Sequence, residues 1–367
     1  MSSKKIVINV NTSWNAYNFR LGLINSLRSL NYKVFVIAPN DRYAPKLVKL
    51  GIKHYHIDIN QRGTNPISDY RVIKTYEKLF NKIKPDIILS YTIKPNIYGN
   101  IAARKFQVPI INNISGLGNL FIEKSFFSLV AKILYKISLK YSKWIFFQNN
   151  DDMQLFINSK IINENKYSLI QGSGINTSLF NTKRNNNKAK RFLFSGRLIK
   201  DKGIYEYLNV AKIILKKYKN IEFLIAGELS SDNREINKKE LNKWLNNNIK
   251  YLGKRDDILE LYKRTDVVIL PSYREGLSKT LLEASSMSLP IITTNTPGCR
   301  DVVEHKFNGL LAEPRSIKDL KNKIIDMINM SEEERLLLGK NGRKLAIKKF
   351  DEKLITKMYI NKINQIS

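Results

Sequence analysis

Two glutamates, Glu275 and Glu283, flank a short turn whose residues could bind a diphosphate. Seven residues separate them, and Gly276 lies in the turn. An apolar run typical of a strand precedes the turn, and a helical pattern, 278–287, follows it. Backbone N–H groups at such a helix start are unpaired and attract phosphate, and Gly276 lets a ligand approach closely. Carboxylates on both sides of a phosphate site suit a ligand with sugar hydroxyls on both sides of its phosphates, as in a nucleotide sugar.

A second turn, upstream of the first, carries two basic residues. Arg197 and Lys202 follow the tight turn at Gly196 and precede a helical pattern over 203–218. Arginine can grip two phosphate oxygens and lysine adds a point charge, so together they could neutralise a diphosphate leaving group without a protein nucleophile. The alternative is a solvated lysine-rich turn. The combination with the glutamate turn favours the functional interpretation, because the glutamate spacing alone recurs by chance.

Short apolar runs alternate with amphipathic helical patterns along the whole chain. The strands predicted in the first half are 5–10, 33–38, 54–59, 86–91, 109–114 and 144–148. Those predicted in the second half are 191–195, 222–226, 250–252, 267–270 and 291–294. This alternation indicates parallel sheets covered by helices, whose ligands bind at the carboxyl ends of the strands. The sequence therefore predicts two doubly wound, Rossmann-like α/β domains facing across a cleft.

The domain boundary is predicted where glycine, asparagine and lysine become dense, over 172–190. We therefore expect an N-terminal acceptor-binding domain over 1–175 and a C-terminal nucleotide-sugar-binding domain over 176–350. A last helix, 351–367, is expected to cross back to the N-terminal domain.

Composition narrows the function classes. The formal net charge of +31 indicates anionic partners such as a membrane surface, phosphorylated substrates or nucleic acid, although a merely lysine-rich surface explains much of it. The single cysteine, Cys299, excludes an intramolecular disulfide. The N-terminus does not read as a signal peptide, and no apolar run approaches the length of a membrane span.

The motifs resemble those of a known enzyme family. The sequence is similar to the retaining GT-B glycosyltransferases of family 4, the group 1 transferases. In the second half the matching stretches are 195–203, 225–228, 251–253, 266–272, 275–283 and 297–303. In the first half, 92–99 and 114–121 resemble bacterial transferases that add N-acetylgalactosamine to an undecaprenyl-diphosphate-linked sugar.

The resemblance implies roles for the donor site. Arg197 and Lys202 would hold the donor diphosphate and Glu275 would bind hydroxyls of the donor sugar, which makes these three the catalytic set. Glu283 would accept hydrogen bonds from the ribose. The other implied donor-binding residues are Gly196, Gly253, Lys254, Arg255, Gly276, Leu277 and Ser278. The family uses no divalent metal, and no cofactor is expected; the sequence contains no Asp-x-Asp motif of metal-dependent transferases.

Some positions depart from the family pattern. Ser278 stands where many relatives have glycine or proline, which leaves an amide donor but changes the loop. The histidine that many relatives carry near a first-domain strand end is absent, and Asn113 or Ser115 could supply a polar group there. Lys279 is an additional cation beside the donor site, either a ligand contact or an exposed helix lysine.

Four residues of the first domain are candidates for the acceptor. Trp14, Tyr17 and Arg20 follow the first strand, and Lys94 follows the fourth. Arg20 and Lys94 could bind an acceptor diphosphate, while Trp14 or Tyr17 could stack on a sugar ring. Each is as compatible with a structural role.

A basic amphipathic helix is predicted within 123–144. Lysines recur there at three- and four-residue steps, including Lys132, Lys136 and Lys140, and aromatic residues begin it at Phe126 and Phe127. Such a helix suits an anionic membrane interface. The competing interpretation, slightly favoured, packs its apolar stripe on the sheet. A mixed case packs the stripe inward while the lysines and the aromatics touch lipid.

These observations predict a hexosyltransferase at the cytoplasmic face of the bacterial inner membrane. It would move an N-acetylhexosamine or its uronic derivative from a UDP-sugar to an undecaprenyl-diphosphate-linked saccharide, with retention, in surface-glycan, O-antigen or glycoprotein-glycan assembly. One rival is a UDP-sugar epimerase or hydrolase of the same architecture. The other is a basic nucleic-acid-binding protein, although no recognised nucleic-acid-binding module is visible.

Overall fold

The computed structural model divides the chain into two compact units. They comprise residues 1–174 with 352–367, and residues 175–351. The structure describes residues 3–60, 65–117, 126–162, 165–184, 188–230, 232 and 235–366, and only the backbone at 126 and 127.

Within the described residues, the first unit holds a seven-stranded sheet whose neighbouring strands are all parallel. Its strands are β1 Lys5–Asn9, β2 Lys33–Ala38, β3 Lys53–His56, β4 Ile87–Tyr91, β5 Ile110–Ile114, β6 Trp144–Phe147 and β7 Tyr167–Leu169. They lie in the order β3-β2-β1-β4-β5-β6-β7. Strand β1 alternates sides: Ile6 and Ile8 pack into one apolar core and Val7 into the other. Both faces of the sheet are therefore covered, as expected for parallel strands.

Helices connect these strands. They are α1 Ser13–Ser29, α2 Ala44–Lys49, α3 Pro66–Ile83, α4 Ile93–Arg104, α5 Phe126–Leu139 and α6 Asn150–Asn158. Local sequence sets several of their ends. The Thr12 side chain caps α1 by accepting from the N–H of Asn15, and Asn65 caps α3, which begins with Pro66.

The described part of the second unit repeats the pattern with a six-stranded parallel sheet. Its strands are β8 Arg191–Ser195, β9 Glu222–Ala226, β10 Ile249–Tyr251, β11 Val267–Leu270, β12 Ile291–Thr294 and β13 Gly309–Ala312, in the order β10-β9-β8-β11-β12-β13. Its α-helices are α7 Ile204–Lys217, α8 Lys238–Asn242, α9 Ile258–Lys263, α10 Lys279–Ser286, α11 Ile317–Asn329 and α12 Glu332–Leu345. A 3₁₀ turn, Lys200–Lys202, precedes α7, and a π-helical turn, Ala346–Phe350, follows α12. The two predicted Rossmann-like sheets are confirmed.

The last helix, α13 Glu352–Ile366, packs on the first unit. Ile355, Tyr359 and Ile363 are buried in that unit's core, and the Tyr359 ring lies 4.9 Å from that of Phe146. The first unit is thus built from both ends of the described chain.

The structure contains two strands that the sequence pattern does not predict, β7 and β13, each at the edge of its sheet. Strand β7 has only three residues and β13 begins with glycine. Both segments are too short, or too weak in β propensity, to stand out without their neighbours.

Helix α5 is rotated relative to the favoured prediction. Three of its apolar residues are exposed, Leu129 by 56%, Ile133 by 49% and Ile137 by 53%, whereas Leu134 packs against the core of the first unit. The residues facing inward are Ser128, Ala131, Tyr135, Ser138 and Leu139. The predicted stripe therefore packs inward only in part, because Leu134 contacts the core of the first unit while Ile133 and Ile137 are exposed.

Buried hydrogen bonds account for this rotation. The Asn100 amide on α4 donates to the backbone oxygen of Ser138 and to the hydroxyl of Ser142, both at 3.1 Å. Ser142 donates to Asn112 at 2.6 Å. Because these buried polar groups are paired, Ser138 of α5 and Ser142 after it can face the interior at little cost.

Candidate active site

The predicted donor-site residues meet at one edge of the second sheet. Gly196 and Arg197 follow β8, Gly253 follows β10, and the turn 271–278 follows β11. In the parallel order β10-β9-β8-β11-β12 the carboxyl ends of these strands are neighbours. The chain leaves β8 toward β9 on one side and reaches β11 on the other. This is the switch point where doubly wound sheets bind ligands.

Two glycines let three loops approach closely at this edge. Gly203 has φ 73°, and a Cβ there would lie 2.1 Å from the carbonyl oxygen of Pro271. Gly298 has φ 74°, and a Cβ there would lie 2.5 Å from the carbonyl oxygen of Glu275. Backbone hydrogen bonds fix the same loops: Glu275 N–H donates to Pro297 at 3.0 Å, and Tyr273 N–H donates to the 3₁₀ turn at 2.8 Å. The turn carrying Glu275 is thus held from both sides.

This packing brings Lys202 and Glu275 into an ion pair. Their side chains are 21% and 11% exposed, so the pair is largely shielded yet reachable. Arg197 is exposed, and its guanidinium has no hydrogen-bond or ion-pair partner in the part of the chain that the structure describes. The site therefore offers an available guanidinium, an ammonium and a carboxylate at one sheet edge.

Helix α10 begins at this edge, and its start differs in detail from the prediction. Ser278 is the N-cap residue, its side chain makes no capping hydrogen bond, and its N–H donates to Gly298 at 3.3 Å. The first hydrogen bond inside the helix runs from Leu282 to Ser278. The N–H groups of Thr280 and Leu281, in the first helical turn, thus have no partner within the helix and are suited to bind an anion.

The other residues of this turn divide between site and core. Gly276 lies in the turn itself, and Leu277 is 9% exposed and packs into the unit's hydrophobic core. The side chain of Leu277 therefore anchors the turn. Lys279 is the first residue of α10, beside the predicted site.

Glu283 lies one turn into α10 and is 9% exposed. The hydroxyl of Tyr262 donates to its carboxylate at 2.9 Å. Burial raises the pKa of Glu283, while the positive charge of Lys279 and the bond from Tyr262 oppose that rise. Glu283 is therefore a shielded carboxylate held in one orientation, which suits recognition of a hydroxyl group.

The predicted nucleobase segment joins the ends of β9 and β10. The Gly253 carbonyl accepts from the N–H of Gly227 at 2.9 Å, and Gly253 itself has φ 72° with open space where a Cβ would stand. Lys254 pairs with Glu228 at 2.5 Å, and Arg255 with its neighbour Asp257 at 2.5 Å. A flat ring could approach the backbone at Gly253.

The predicted acceptor residues of the first unit have different surroundings. Trp14 is 38% exposed, and Tyr17 packs 5.4 Å from the ring of Tyr43. Lys94 lies 2.6 Å from Asp69, so its charge is already paired. Arg20 is buried.

Asn113 and Ser115 belong to a hydrogen-bonded interior network. Asn113 is fully buried, donates to the hydroxyl of Tyr359 at 2.8 Å, and accepts from Ser115 and Gln148. These bonds occupy its side chain. In α5, Lys136 is exposed and Lys132 is half-buried, and Lys140, just after the helix, is exposed; the side chains of Phe126 and Phe127 lie outside the described part of the structure.

Two residues that position the site are not evident from sequence alone. Tyr262 reads as an apolar position of a helical pattern, and nothing in its spacing indicates a bond to Glu283. Gly298 follows Pro297, and this dipeptide predicts a turn but not its close approach to Glu275. Among the described residues, no group of three histidines, cysteines or carboxylates could hold a metal ion.

Comparison with known proteins identifies the family of both halves. Residues 176–345 match the family model "Glycosyl transferases group 1", and residues 5–149 match "Glycosyl transferase 4-like". Together the two matches span most of the chain.

Individual relatives agree over nearly the full length. The chain is 28% identical to a Campylobacter jejuni N,N'-diacetylbacillosaminyl-diphospho-undecaprenol alpha-1,3-N-acetylgalactosaminyltransferase, over 95% of this chain and 96% of the relative. It is 25% identical to an Escherichia coli UDP-Gal:alpha-D-GlcNAc-diphosphoundecaprenol alpha-1,3-galactosyltransferase, over 90% and 91%. The crystal structure of Anabaena HepE with UDP and glucose superposes with a TM-score of 0.81 at 18% identity, covering 98% of this chain and 99% of HepE. This likeness establishes the GT-B fold.

Proposed function

Because this chain belongs to the group 1 glycosyltransferases, we propose that it transfers an N-acetylhexosamine, or its uronic derivative, from a UDP-sugar. The acceptor is a saccharide linked to undecaprenyl diphosphate, in the assembly of a bacterial surface or glycoprotein glycan. The names of two full-length relatives support the acceptor class, since both act on sugars attached to diphosphoundecaprenol. The E. coli relative's UDP-galactose and the UDP bound to HepE support a UDP-sugar donor.

The observation that carries the proposal is the group of charges at the start of α10. The guanidinium of Arg197, which has no hydrogen-bond or ion-pair partner among the described residues, and the ammonium of Lys202 lie at the sheet edge where α10 begins without a side-chain cap. As the bond from the sugar to the diphosphate breaks, negative charge develops on the departing phosphate. Cations and helix N–H groups already in place stabilise that charge without reorganising.

Glu275 and Glu283 supply the sugar contacts on either side. Glu275, fixed by Lys202 and Gly298, accepts hydrogen bonds from donor-sugar hydroxyls. Glu283, oriented by Tyr262, accepts from the ribose. The acceptor hydroxyl attacks from the face that the diphosphate leaves, a departing phosphate oxygen takes its proton, and the anomeric configuration is retained. No divalent metal is needed in this scheme.

A transfer assay tests the proposal. The full chain is incubated with UDP-N-acetylgalactosamine and an undecaprenyl-diphosphate-linked disaccharide, and the new linkage is assigned by NMR. We expect an α-linked product, and an unchanged rate with EDTA. Rapid UDP release in the absence of any lipid-linked acceptor would instead support an epimerase or hydrolase.

We further propose that the exposed stripe of α5 docks on an anionic bilayer, which brings the enzyme to its lipid-linked acceptor. Leu129, Ile133 and Ile137 form an apolar ridge, and Lys136 and Lys140 lie on the same exposed side of the helix. The apolar side chains can insert at the boundary of the acyl chains while the lysines contact the anionic headgroups, with about 1 kcal/mol of attraction per lysine. No helix among the described residues is long and apolar enough to cross a membrane.

Vesicle sedimentation tests this docking. We expect Ile133→Glu with Ile137→Glu to weaken binding to phosphatidylglycerol vesicles at least tenfold. Val48→Glu is the control, because Val48 is a 58%-exposed apolar residue of α2. Equal loss in the control, or none in the double variant, would reject α5 as the docking surface.

A further inference from the structure

An arginine from the segment predicted as the domain boundary, 172–190, holds the far end of α10. The guanidinium of Arg184 donates to three backbone oxygens: that of Met287 at 3.1 Å, that of Thr265 at 2.7 Å and that of Tyr262 at 2.5 Å. Met287 is the C-cap residue of α10, and Tyr262 lies in the last turn of α9. Carbonyl groups at helix ends have no partner within the helix, and the helix dipole favours a cation there. One side chain therefore joins the ends of the two helices.

Tyr262 is consequently held at both of its ends. Its backbone oxygen accepts from Arg184, and its hydroxyl donates to Glu283 at 2.9 Å. The Tyr262 side chain is fully buried, so it has no room to follow Glu283 if the helices move apart. The hydrogen bond to Glu283 thus depends on the spacing of α9 and α10, which Arg184 sets.

The same segment contacts α10 and Tyr262 a second time, through Phe180. The Phe180 backbone oxygen accepts from the hydroxyl of Ser286 and from the guanidinium of Arg343, both at 2.6 Å. The Phe180 ring lies 6.4 Å from the Tyr262 ring in an edge-on arrangement. Residues 180–184 are therefore built into the second unit beside α9 and α10, although their composition is typical of a linker.

The start of α10 is held independently of Arg184. The hydroxyl of Thr280 donates to the backbone oxygen of Ser195 at 3.1 Å, which ties the first turn of α10 to the end of β8. A change at Arg184 should therefore alter the bond from Tyr262 to Glu283 and leave the phosphate-binding end of the helix in place.

The guanidinium is suited to this task by its charge and its shape. Burial lowers the pKa of Arg184 to about 10, while Asp266 and Arg191 act on it in opposite directions, so the group is charged at neutral pH. Its planar fork reaches three oxygens at once, which a lysine ammonium on a flexible stem does not reproduce.

We propose that Arg184 is a positioning residue of the donor site. It fixes α9 against α10, so that the hydroxyl of Tyr262 keeps the Glu283 carboxylate in the orientation that receives the ribose. The part that concerns the ribose rests on the proposed function; the coupling of Arg184 to Glu283 through Tyr262 does not.

Titration of the Glu283 carboxyl group in the ligand-free chain tests the coupling. Lys279 on its own helix and Tyr262 on α9 both lower the pKa of Glu283. Arg184→Lys keeps the charge but loses the fork, so the bond from Tyr262 should weaken and Glu283 should titrate at a higher pH than in the wild type. The readout is the ¹³C signal of the carboxyl carbon, assigned with Glu283→Gln. A wild-type midpoint in folded Arg184→Lys would overturn the proposal.

A second variant covers the case in which Arg184→Lys does not fold. The neutral amide of Arg184→Gln can still donate to backbone oxygens, and the same upward shift of the Glu283 midpoint is expected. An unshifted midpoint in this variant would equally overturn the proposal.

Tyr262→Phe shows whether Arg184 acts through the tyrosine. This variant lacks the hydroxyl and should itself raise the Glu283 midpoint. Adding Arg184→Lys to it should cause little further change, because residues that act through one contact are not additive. A full additional shift in the double variant would contradict the coupling.

Arg335→Lys is the matched control. Arg335 likewise donates to three backbone oxygens, those of Met327, Ile328 and Met330 at the end of α11. We expect this variant to lower the Tm as Arg184→Lys does, but to leave the Glu283 titration unchanged. An equal shift in the control would show that the titration reports only a loss of stability, and would overturn the proposal.

Calorimetry with uridine and with inorganic diphosphate tests the role in the donor site. Arg184→Lys should weaken uridine binding about fivefold, as expected for one weakened hydrogen bond, and should leave diphosphate binding unchanged. A shifted Glu283 titration with unchanged uridine affinity would support the coupling and overturn its role in the donor site. A wild type that shows both effects of Arg184 but transfers no sugar would contradict the proposed function and leave the role of Arg184 supported.

Discussion

At the scale of single residues, the donor site depends on a few charges whose partners are visible. Glu275 holds Lys202, and Glu283 is held by Tyr262. Their roles differ: Glu275 lies at the sheet edge beside the cations, whereas Glu283 is shielded inside α10. Substitutions should therefore affect the chemical step in one case and nucleotide binding in the other.

Glu275→Ala should lower kcat about 100-fold or more, because it removes a contact to the reacting sugar and releases Lys202 from its position. Circular dichroism and the Tm should show an intact fold. Glu260→Ala is a suitable control, since Glu260 forms an exposed ion pair with Lys263. Near-normal turnover of Glu275→Ala would count strongly against the site.

Glu283 should make uridine binding depend on pH. Its ionised form accepts from the ribose hydroxyls, and burial raises its pKa. Affinity should therefore fall as the pH decreases through this raised pKa, at a higher pH than for an exposed glutamate. Uridine is the suitable probe because it has no phosphate that titrates in acid. Calorimetry should show that the uridine affinity of Glu283→Gln does not change with pH. A pH dependence like that of the wild type would show that Glu283 does not bind the ribose.

The same shift predicts a pH dependence of stability. A carboxyl group whose pKa is higher in the folded than in the unfolded state stabilises the fold fully below the unfolded pKa, and this contribution is lost as the pH rises through the folded pKa. Chemical denaturation of wild type and Glu283→Gln should therefore diverge across that window. Parallel curves would contradict the raised pKa.

At the scale of elements, loops from three strands hold one another through glycines. Gly298→Ala should displace the turn at Glu275, because its Cβ would overlap the Glu275 carbonyl oxygen. We expect lower activity and a loss of stability beyond the roughly 1 kcal/mol that a positive φ alone costs. Gly51→Ala is the matched control: it has φ 74° but meets only the flexible end of Arg28. Equal activity in both variants would exclude the close approach as a requirement.

Sequence patterns predict the elements better than their orientation. The strand–turn–helix order around Glu275 follows from local residue types, so α10 is found within a residue of the predicted bounds. The rotation of α5 does not follow from its own sequence, because the asparagines that bond to the Ser138 backbone oxygen and to Ser142, just after the helix, lie on other elements. The buried state of Arg20 likewise depends on Tyr91, which is distant in the chain.

At the scale of the whole molecule, the alternation of strands and helices is sufficient to predict two parallel sheets, but it does not predict the short edge strands.

The net charge of +31 predicts that binding to anionic membranes depends on salt. Binding to anionic vesicles should weaken steeply between 50 and about 300 mM salt, because ions screen charges beyond a Debye length of ~10 Å. Sedimentation with neutral phosphatidylcholine vesicles is the control. Salt-independent binding would remove the electrostatic part of the docking proposal.

The central claim is that the donor diphosphate is bound at the carboxyl edge of the second sheet. A crystal structure of the full chain with a UDP-sugar tests it most directly. The account predicts density for the diphosphate within hydrogen-bonding distance of Arg197, Lys202 and the first turn of α10. A diphosphate bound anywhere else on the molecule would contradict it.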